Sequence, residues 1–256
     1  MFITEMNGIT LMTRNQQSNA TFCNRHPVII RNLVKLSAEM REASEVKILS
    51  FGCSTGLECL SIKSFLPNTR VFGCDLDEAI LIKAKRLCQD QAMIFKSNFE
   101  NLQRHGPFQI ICAFNVLCRH PIKDGLMSDL YPFSQFNQTL ALLDGCLSIG
   151  GWLAIYNAQY DVAASSIASR YAPAACPELR NNGWLDKYNA LSVRTYKSGR
   201  LAYQGKKMKH SHWLRLVQNS GEADADPAKL DVFFELLLPR ENHDLTTVIW
   251  EKKLEM

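Results

Sequence analysis

Apolar and polar positions change rhythm along the chain. In "HPVIIRNLVKLSAEM" (26–40), Ile29, Leu33, Leu36 and Met40 recur at three- and four-residue spacing, which predicts an amphipathic helix with Pro27 near its start. The rhythm then shortens. "VKILSF" (46–51) predicts a buried strand, "GLECLSIKSFL" (56–66) a helix stopped by Pro67, and "RVFGCD" (70–75) a second strand. "LDEAILIKAKRLCQDQ" (76–91) predicts a helix with acids early and Lys83, Lys85 and Arg86 late, as the helix dipole favours. "AMIFKS" (92–97) and "FQIICAFNV" (108–116) predict the third and fourth strands. "FSQFNQTLALLDGCLS" (133–148) predicts a helix ending near Gly150-Gly151, and "GWLAIYN" (151–157) a fifth strand.

Such near-continuous apolar strands, alternating with helices, belong in a parallel sheet covered on both faces. The expected fold is α/β: a doubly wound, mostly parallel, seven-stranded sheet with right-handed crossovers. Residues 1–24 are polar and irregular. Beyond 160 the regularity weakens. "YDVAASSIASRYA" is a helix candidate, and 189–196, 229–238 and 245–253 read as strands, the last two as a C-terminal antiparallel hairpin at the sheet edge.

Composition narrows the picture. Apolar residues make up 46% of the 256, enough for a full core, and the net charge of +4 is no nucleic-acid signature by itself. Nine cysteines are scattered with no C-x-x-C pair, several inside strand-like runs. Buried free thiols in a reducing compartment are expected rather than a disulfide frame or a metal site. No stretch approaches the roughly 18–20 apolar residues of a membrane span. The first 17 residues carry Glu5 and lack an apolar core, so no signal peptide is read and a cytoplasmic protein is expected.

The chemistry gathers at "ILSFGCSTGLECLS" (48–61). In an open α/β sheet, ligands lie beyond the carboxyl ends of the strands. Gly52 and Gly56 allow a tight turn and a close backbone approach there. Their spacing is G-x-x-x-G, and Ser54 breaks the G-x-G-x-x-G dinucleotide fingerprint. The second strand ends in Asp75, 23 residues after Gly52, where a carboxylate can accept two hydrogen bonds from a ribose diol. Asp75 could instead cap the next helix, a task that Asp77 can also perform.

"FGCSTGLECLS", "VFGCDLD" and "FNVL", together with "NATFCNR" upstream, resemble the chemotaxis-receptor (CheR-type) methyltransferase family. Its pattern runs close to A-G-C-S-T-G-E-E-P-Y-S, then T-D-I-D, then C-R-N-V-L-I-Y-F, after an upstream N-x-T-x-F-F-R. The resemblance covers roughly residues 19–157. It implies a class I, Rossmann-like methyltransferase using S-adenosyl-L-methionine, a fold that an edge hairpin would separate from a nicotinamide-binding one. It implies that Asn19, Thr21 and Arg25 hold the methionine end of the cofactor, with Arg25 on its carboxylate. Glu58 would face the amino group and Asp75 the ribose. Asn98 and Phe99 would read the adenine edge, and Asn115 and Val116 would follow the fourth strand. Ser54, Thr55 and Leu76 belong to the same expected cofactor surface.

The departures fall on the acceptor side. Arg119 and His120 stand where the family has tyrosine and phenylalanine, and "YNAQY" replaces a Gly-His-Ser-Glu-like run. Residues 1–45 are expected to contribute to the cofactor site and 46–256 to form the methyltransferase domain, with 160–244 binding the acceptor. His120, Tyr156 and Tyr160 are candidate bases, and Arg119 could orient an anionic substrate. "GKKMKHSHWLRL" (205–216) is either a phosphate- or acid-binding surface or a solvated face. The expected function is methyl transfer to a small-molecule or protein acceptor. A protein-glutamate O-methyltransferase and a non-catalytic cofactor-binding module are the alternatives. Oligomeric state is not readable.

Overall fold

The computed structural model describes residues 3–6, 9–12, 21, 23–38, 40, 45–120, 122, 125–203, 205–209, 212, 231–238 and 244–254. An antiparallel pair, β1 (Ile3–Met6) and β2 (Ile9–Met12), precedes α1 (Pro27–Ser37). Both strands fall in the stretch read as irregular. The main alternation follows: β3 (Lys47–Phe51), α2 (Leu57–Phe65), β4 (Arg70–Asp75), α3 (Glu78–Cys88), β5 (Met93–Lys96), α4 (Phe99–His105), β6 (Phe108–Phe114), α5 (Met127–Leu130), α6 (Phe133–Gly145) and β7 (Leu147–Tyr156). Next come β8 (Tyr171–Pro173), β9 (Lys187–Tyr188), β10 (Arg194–Tyr203), β11 (Lys206–Met208), β12 (Asp231–Leu236) and β13 (Ile249–Lys252).

The seven-stranded sheet runs β5-β4-β3-β6-β7-β13-β8. The β3–β7 strands pair in parallel, and β13 is antiparallel to both of its neighbours. Successive strand residues point to opposite faces. Ile48, Ile110 and Cys112 therefore join Ile29, Leu33, Ile62 and Ala84 in one core. Leu49, Phe51 and Ile111 join Leu102, Phe136, Leu140 and Leu143 in the other. This is the expected doubly wound mixed sheet.

Several boundaries are corrected. The expected hairpin of 229–238 with 245–253 does not form. β12 pairs with β10 in a separate four-stranded antiparallel sheet, while β13 sits inside the main sheet. Burial explains the split: Ile249 and Trp250 are buried, whereas Phe233 and Leu236 of β12 are exposed. The helix expected over 160–172 is instead two short 3-10 turns leading into β8. The helix expected over 133–148 stops at Gly145, and β7 already begins at Leu147. Gly150-Gly151 lies within that strand, near a register shift against β6. A Cβ at Gly151 would lie 2.8 Å from the Ser148 carbonyl oxygen, so glycine serves a kink there. In 189–196 the strand begins only at Arg194. Asn189 Oδ1 first accepts from the N–H groups of Leu191 and Val193, closing a local turn.

All nine cysteines are free, and seven are buried. Among the described residues no helix is long and apolar enough to cross a membrane. No cluster of His, Cys, Asp or Glu among them could hold a metal ion.

Candidate functional site

The turn after β3 is built on left-handed residues. Gly52, Ser54 and Gly56 have φ of 77°, 52° and 87°. The space a side chain would need is occupied. A Cβ at Gly52 would lie 2.5 Å from Val116 Cγ2, and one at Gly56 would lie 2.5 Å from Cys88 Sγ. Val116, expected on the cofactor surface, thus packs against the turn itself. Both glycines answer to chain reversal and to internal packing. The Gly52 and Cys53 amides donate to the Cys74 carbonyl at 2.9 Å, which docks the turn on the end of β4.

Asp75 braces that junction. Its Oδ2 accepts from Ser54 N–H at 3.0 Å, and its Oδ1 from Leu76 N–H at 2.7 Å and Asp77 N–H at 3.2 Å. An ionised carboxylate has about four lone-pair sites, so acceptor capacity remains. Asp77 takes the capping role, accepting from Ala79 and Ile80 N–H at the start of α3. Asn98 also caps: its Oδ1 accepts from Asn101 N–H at 2.8 Å at the start of α4, and Phe99 beside it is exposed. Seven residues are too few for periodicity to reveal α4.

Two charges flank the turn. Glu58, in the first turn of α2, is half-buried and accepts from Ser50 Oγ at 2.7 Å. Burial pushes its carboxyl up to about 7 against the opposing pull of the Ser50 hydrogen bond and the Arg25 charge. Burial lowers the Arg25 guanidinium, with Glu58 acting in the opposite direction. Arg25 and the half-buried Thr21 belong to the segment before α1. That segment docks on α2 where Asn24 N–H donates to Ser61 Oγ at 2.9 Å. Asn19 lies outside the described residues. Thr55 is half-buried within the turn, and Leu76 packs against the core at the tip of β4.

The acceptor-side candidates form a second group, after β6 and β7. Arg119 N–H donates to Gln159 Oε1 at 2.6 Å, and Gln159 Nε2 donates to the Arg119 carbonyl at 3.2 Å, clamping the two loops together. His120 is half-buried, edge-on to Trp184 with centroids 4.9 Å apart. Burial lowers its pKa while Asp186 opposes. Tyr160 is not placed as a base. It is buried, its hydroxyl donates to the Tyr131 carbonyl at 2.5 Å and meets Ser192 Oγ at 2.8 Å, and burial pushes its pKa to about 12. The Tyr156 hydroxyl is likewise taken up, by Asn181 Oδ1 at 3.0 Å. Of the basic stretch, Lys206, Lys207, Lys209 and His212 are described and exposed.

Sequence reasoning missed three buried polar residues here. His26 and Asn157 bracket Asn115, with Asn115 Nδ2 at 3.1 Å from His26 Nε2 and Asn157 Nδ2 donating to Asn115 Oδ1 at 2.9 Å. Lys187 Nζ donates to the Ala158 carbonyl at 2.7 Å, and burial brings its pKa down to about 8. The Asn residues after β6 and β7 both have positive φ, 57° and 63°. Asn at a strand end is the one signal that could have drawn attention to Asn157.

Residues 48–131 match the model of a family described as methyltransferase domain. The matched stretch runs from β3 past α5 and carries both the glycine turn and Asp75. Over this third of the chain the sequence is similar to a methyltransferase domain, and the mixed, mostly parallel sheet is the fold that such a domain has. The match is to the general domain. Among solved structures, the chain is similar to the plantazolicin methyltransferase BpumL in complex with a triazolic desmethylPZN analog and SAH. Identity is 19% over 52% of this chain and 48% of that one, with a TM-score of 0.39. It is also similar to TrmN from Thermus thermophilus, at 19% identity over 62% of this chain and 45% of that one, with a TM-score of 0.41. The chain spans about half the length of these solved relatives. No curated protein matches it.

The residue types around the turn fit S-adenosylmethionine chemically. A ribose diol calls for an acceptor such as a carboxylate at the Asp75 position, and a zwitterionic amino acid calls for one cation and one anion, groups of the kind that Arg25 and an ionised Glu58 would offer.

Proposed function

We propose that the protein transfers a methyl group from S-adenosylmethionine to an acceptor held between the loops after β6 and β7 and the segment joining β8 to β13. The observation that carries this reading is Asp75, a carboxylate at the tip of β4 tied by Ser54 N–H to the glycine turn. In this reading residues 1–45 help to hold the cofactor and 160–244 the acceptor. Asp75 accepts from the ribose, Arg25 and Thr21 hold the methionine carboxylate, and Glu58 faces the ammonium. Asn98 and Phe99 border the adenine, Asn115 lines the same site, and Val116 keeps the turn in place. Bound cofactor supplies an electrophilic methyl group on a sulfonium.

Arg119 orients an anionic acceptor, and His120 takes a proton from a hydroxyl or amine acceptor, its imidazole held neutral by burial. Calorimetry with S-adenosylhomocysteine tests the cofactor half. Binding is expected, weakened about 10–100-fold by Asp75→Ala through lost charge-assisted hydrogen bonds. Absence of heat with the unmodified protein would overturn the reading.

The chemotaxis-type resemblance supports a narrower reading, transfer to a glutamyl carboxylate oriented by Arg119. A carboxylate needs no base. Glutamyl peptides should then release S-adenosylhomocysteine equally well with His120→Gln. With a hydroxyl or amine acceptor the same variant should lose about 10²–10⁴-fold in rate.

A further inference from the structure

Side chains from three separate segments form one directed chain of hydrogen bonds across the carboxyl edge of the sheet. Asn157 Oδ1 accepts from the backbone N–H groups of Trp184 at 2.9 Å and Leu185 at 3.2 Å. Backbone amides only donate, so that atom is the amide oxygen and Nδ2 points the other way. Asn157 Nδ2 donates to Asn115 Oδ1, which turns Asn115 Nδ2 toward His26 Nε2. An amide NH₂ offers no lone pair, so His26 Nε2 must accept. The proton of the neutral ring then sits on Nδ1. The polarity of a histidine in the N-terminal segment is thus dictated by two backbone amides of the segment between β8 and β13.

The joint is rigid. His26 is 2% exposed, and its ring lies 5.0 Å from both Phe114 and Tyr156. Gly183 presses on the other end: a Cβ there would sit 2.4 Å from Asn157 Cα. His26 is flanked by Arg25 and by Pro27, the first residue of α1. A protonated Nε2 would point an N–H at the Asn115 NH₂ group, and it would add a second cation beside Arg25. The chain of bonds therefore keeps His26 from adding a charge beside Arg25.

We propose that His26 is a positioning residue, fixed as a neutral Nδ1–H imidazole by the Trp184/Leu185–Asn157–Asn115 relay, which couples docking of the acceptor-side segment to the placement of Arg25 on the cofactor. The coupling rests on the cofactor reading above; the tautomer does not. Imidazole ¹⁵N NMR on the labelled full chain tests the tautomer. The expected spectrum shows His26 protonated at Nδ1 alone across pH of about 5.5–8. A proton at Nε2, in the neutral or the charged ring, overturns the relay.

S-adenosylhomocysteine affinity tests the coupling. His26→Phe keeps an aromatic ring but offers no acceptor, and should weaken binding about 3–10-fold. His26→Gln, whose Oε1 can receive the Asn115 N–H, should restore affinity to within about 2-fold. Asn157→Ala, on the acceptor side, should match His26→Phe, and the double variant should lose no more than either single one. Equal losses for Gln and Phe, or additive losses in the double variant, would overturn the coupling. If the unmodified protein binds no S-adenosylhomocysteine, the cofactor reading and the coupling fall together, while the NMR result still decides the relay.

Discussion

The region from β3 to β7 and the segment between β8 and β13 are held in place by different forces. In the first, strands are buried on both faces and helices press on them from either side, so side-chain packing sets each position. In the second, a small antiparallel sheet leaves Phe233 54% and Leu236 50% exposed, and Leu191 in the turn between β9 and β10 is 81% exposed. Tyr188 and Leu179 anchor this segment in the two cores, and directed hydrogen bonds join it to the main sheet as well. Trp184 and Leu185 amides reach Asn157, Lys187 Nζ reaches the Ala158 carbonyl, and Asp244 N–H donates to Asp161 Oδ2 at 2.7 Å. Non-directional burial gives the β3–β7 region a stable frame. Directed hydrogen bonds add a defined orientation to the segment between β8 and β13.

If that contrast holds, the same truncation should have very unequal consequences in the two regions. Phe136→Ala, in the core under β6 and β7, should cost about 3–5 kcal/mol of stability, and Phe233→Ala less than about 0.5 kcal/mol. Urea unfolding of both variants measures the difference, and comparable losses would break the comparison. Next in size is Gly52→Val, which combines left-handed strain with a clash against Val116. It should cost on the order of 2–4 kcal/mol. Adding Val116→Ala sharpens the test: it should recover the clash and leave the backbone strain.

Glu58 gives a smaller effect with a defined sign. Its folded-state pKa, about 7, lies above the ordinary 4.5. Between those values the folded chain holds a proton that the unfolded chain has released. Stability should therefore fall as pH rises through that window, by on the order of 2 kcal/mol. Unfolding midpoints taken at pH of about 4.5 and 7.5 should differ in that direction, and Glu58→Gln should reduce the slope. Smallest of all is the expected effect of Arg119→Tyr on the cofactor side. Affinity for S-adenosylhomocysteine should change by less than about 0.5 kcal/mol, even where acceptor turnover changes strongly. A large loss of cofactor affinity would show that the two sides are not separable at the loop after β6.

What was legible in the chain follows the same division. The β3–β7 order, the glycine turn, Asp75 at a strand tip and Asp77 as a helix cap all express short-range rules: apolar period, left-handed glycine and side-chain capping. Those rules act within a few residues, so the sequence by itself determined the parallel frame and its acidic strand tip. The partner of β13 was not legible. Both β12 and β13 read as strands, and only competition for buried sheet positions sent Ile249 and Trp250 between β7 and β8 while β12 joined another sheet. The role of Tyr160 was hidden for a similar reason, since its hydroxyl is satisfied by Tyr131 and Ser192, neither of them near it in the chain. His26, Asn115 and Asn157 are separated by 89 and 42 residues, and nothing local marks them as one set. Tertiary structure alone decided that set, because hydrogen-bond polarity passes between side chains only after folding has brought donor and acceptor within about 3 Å.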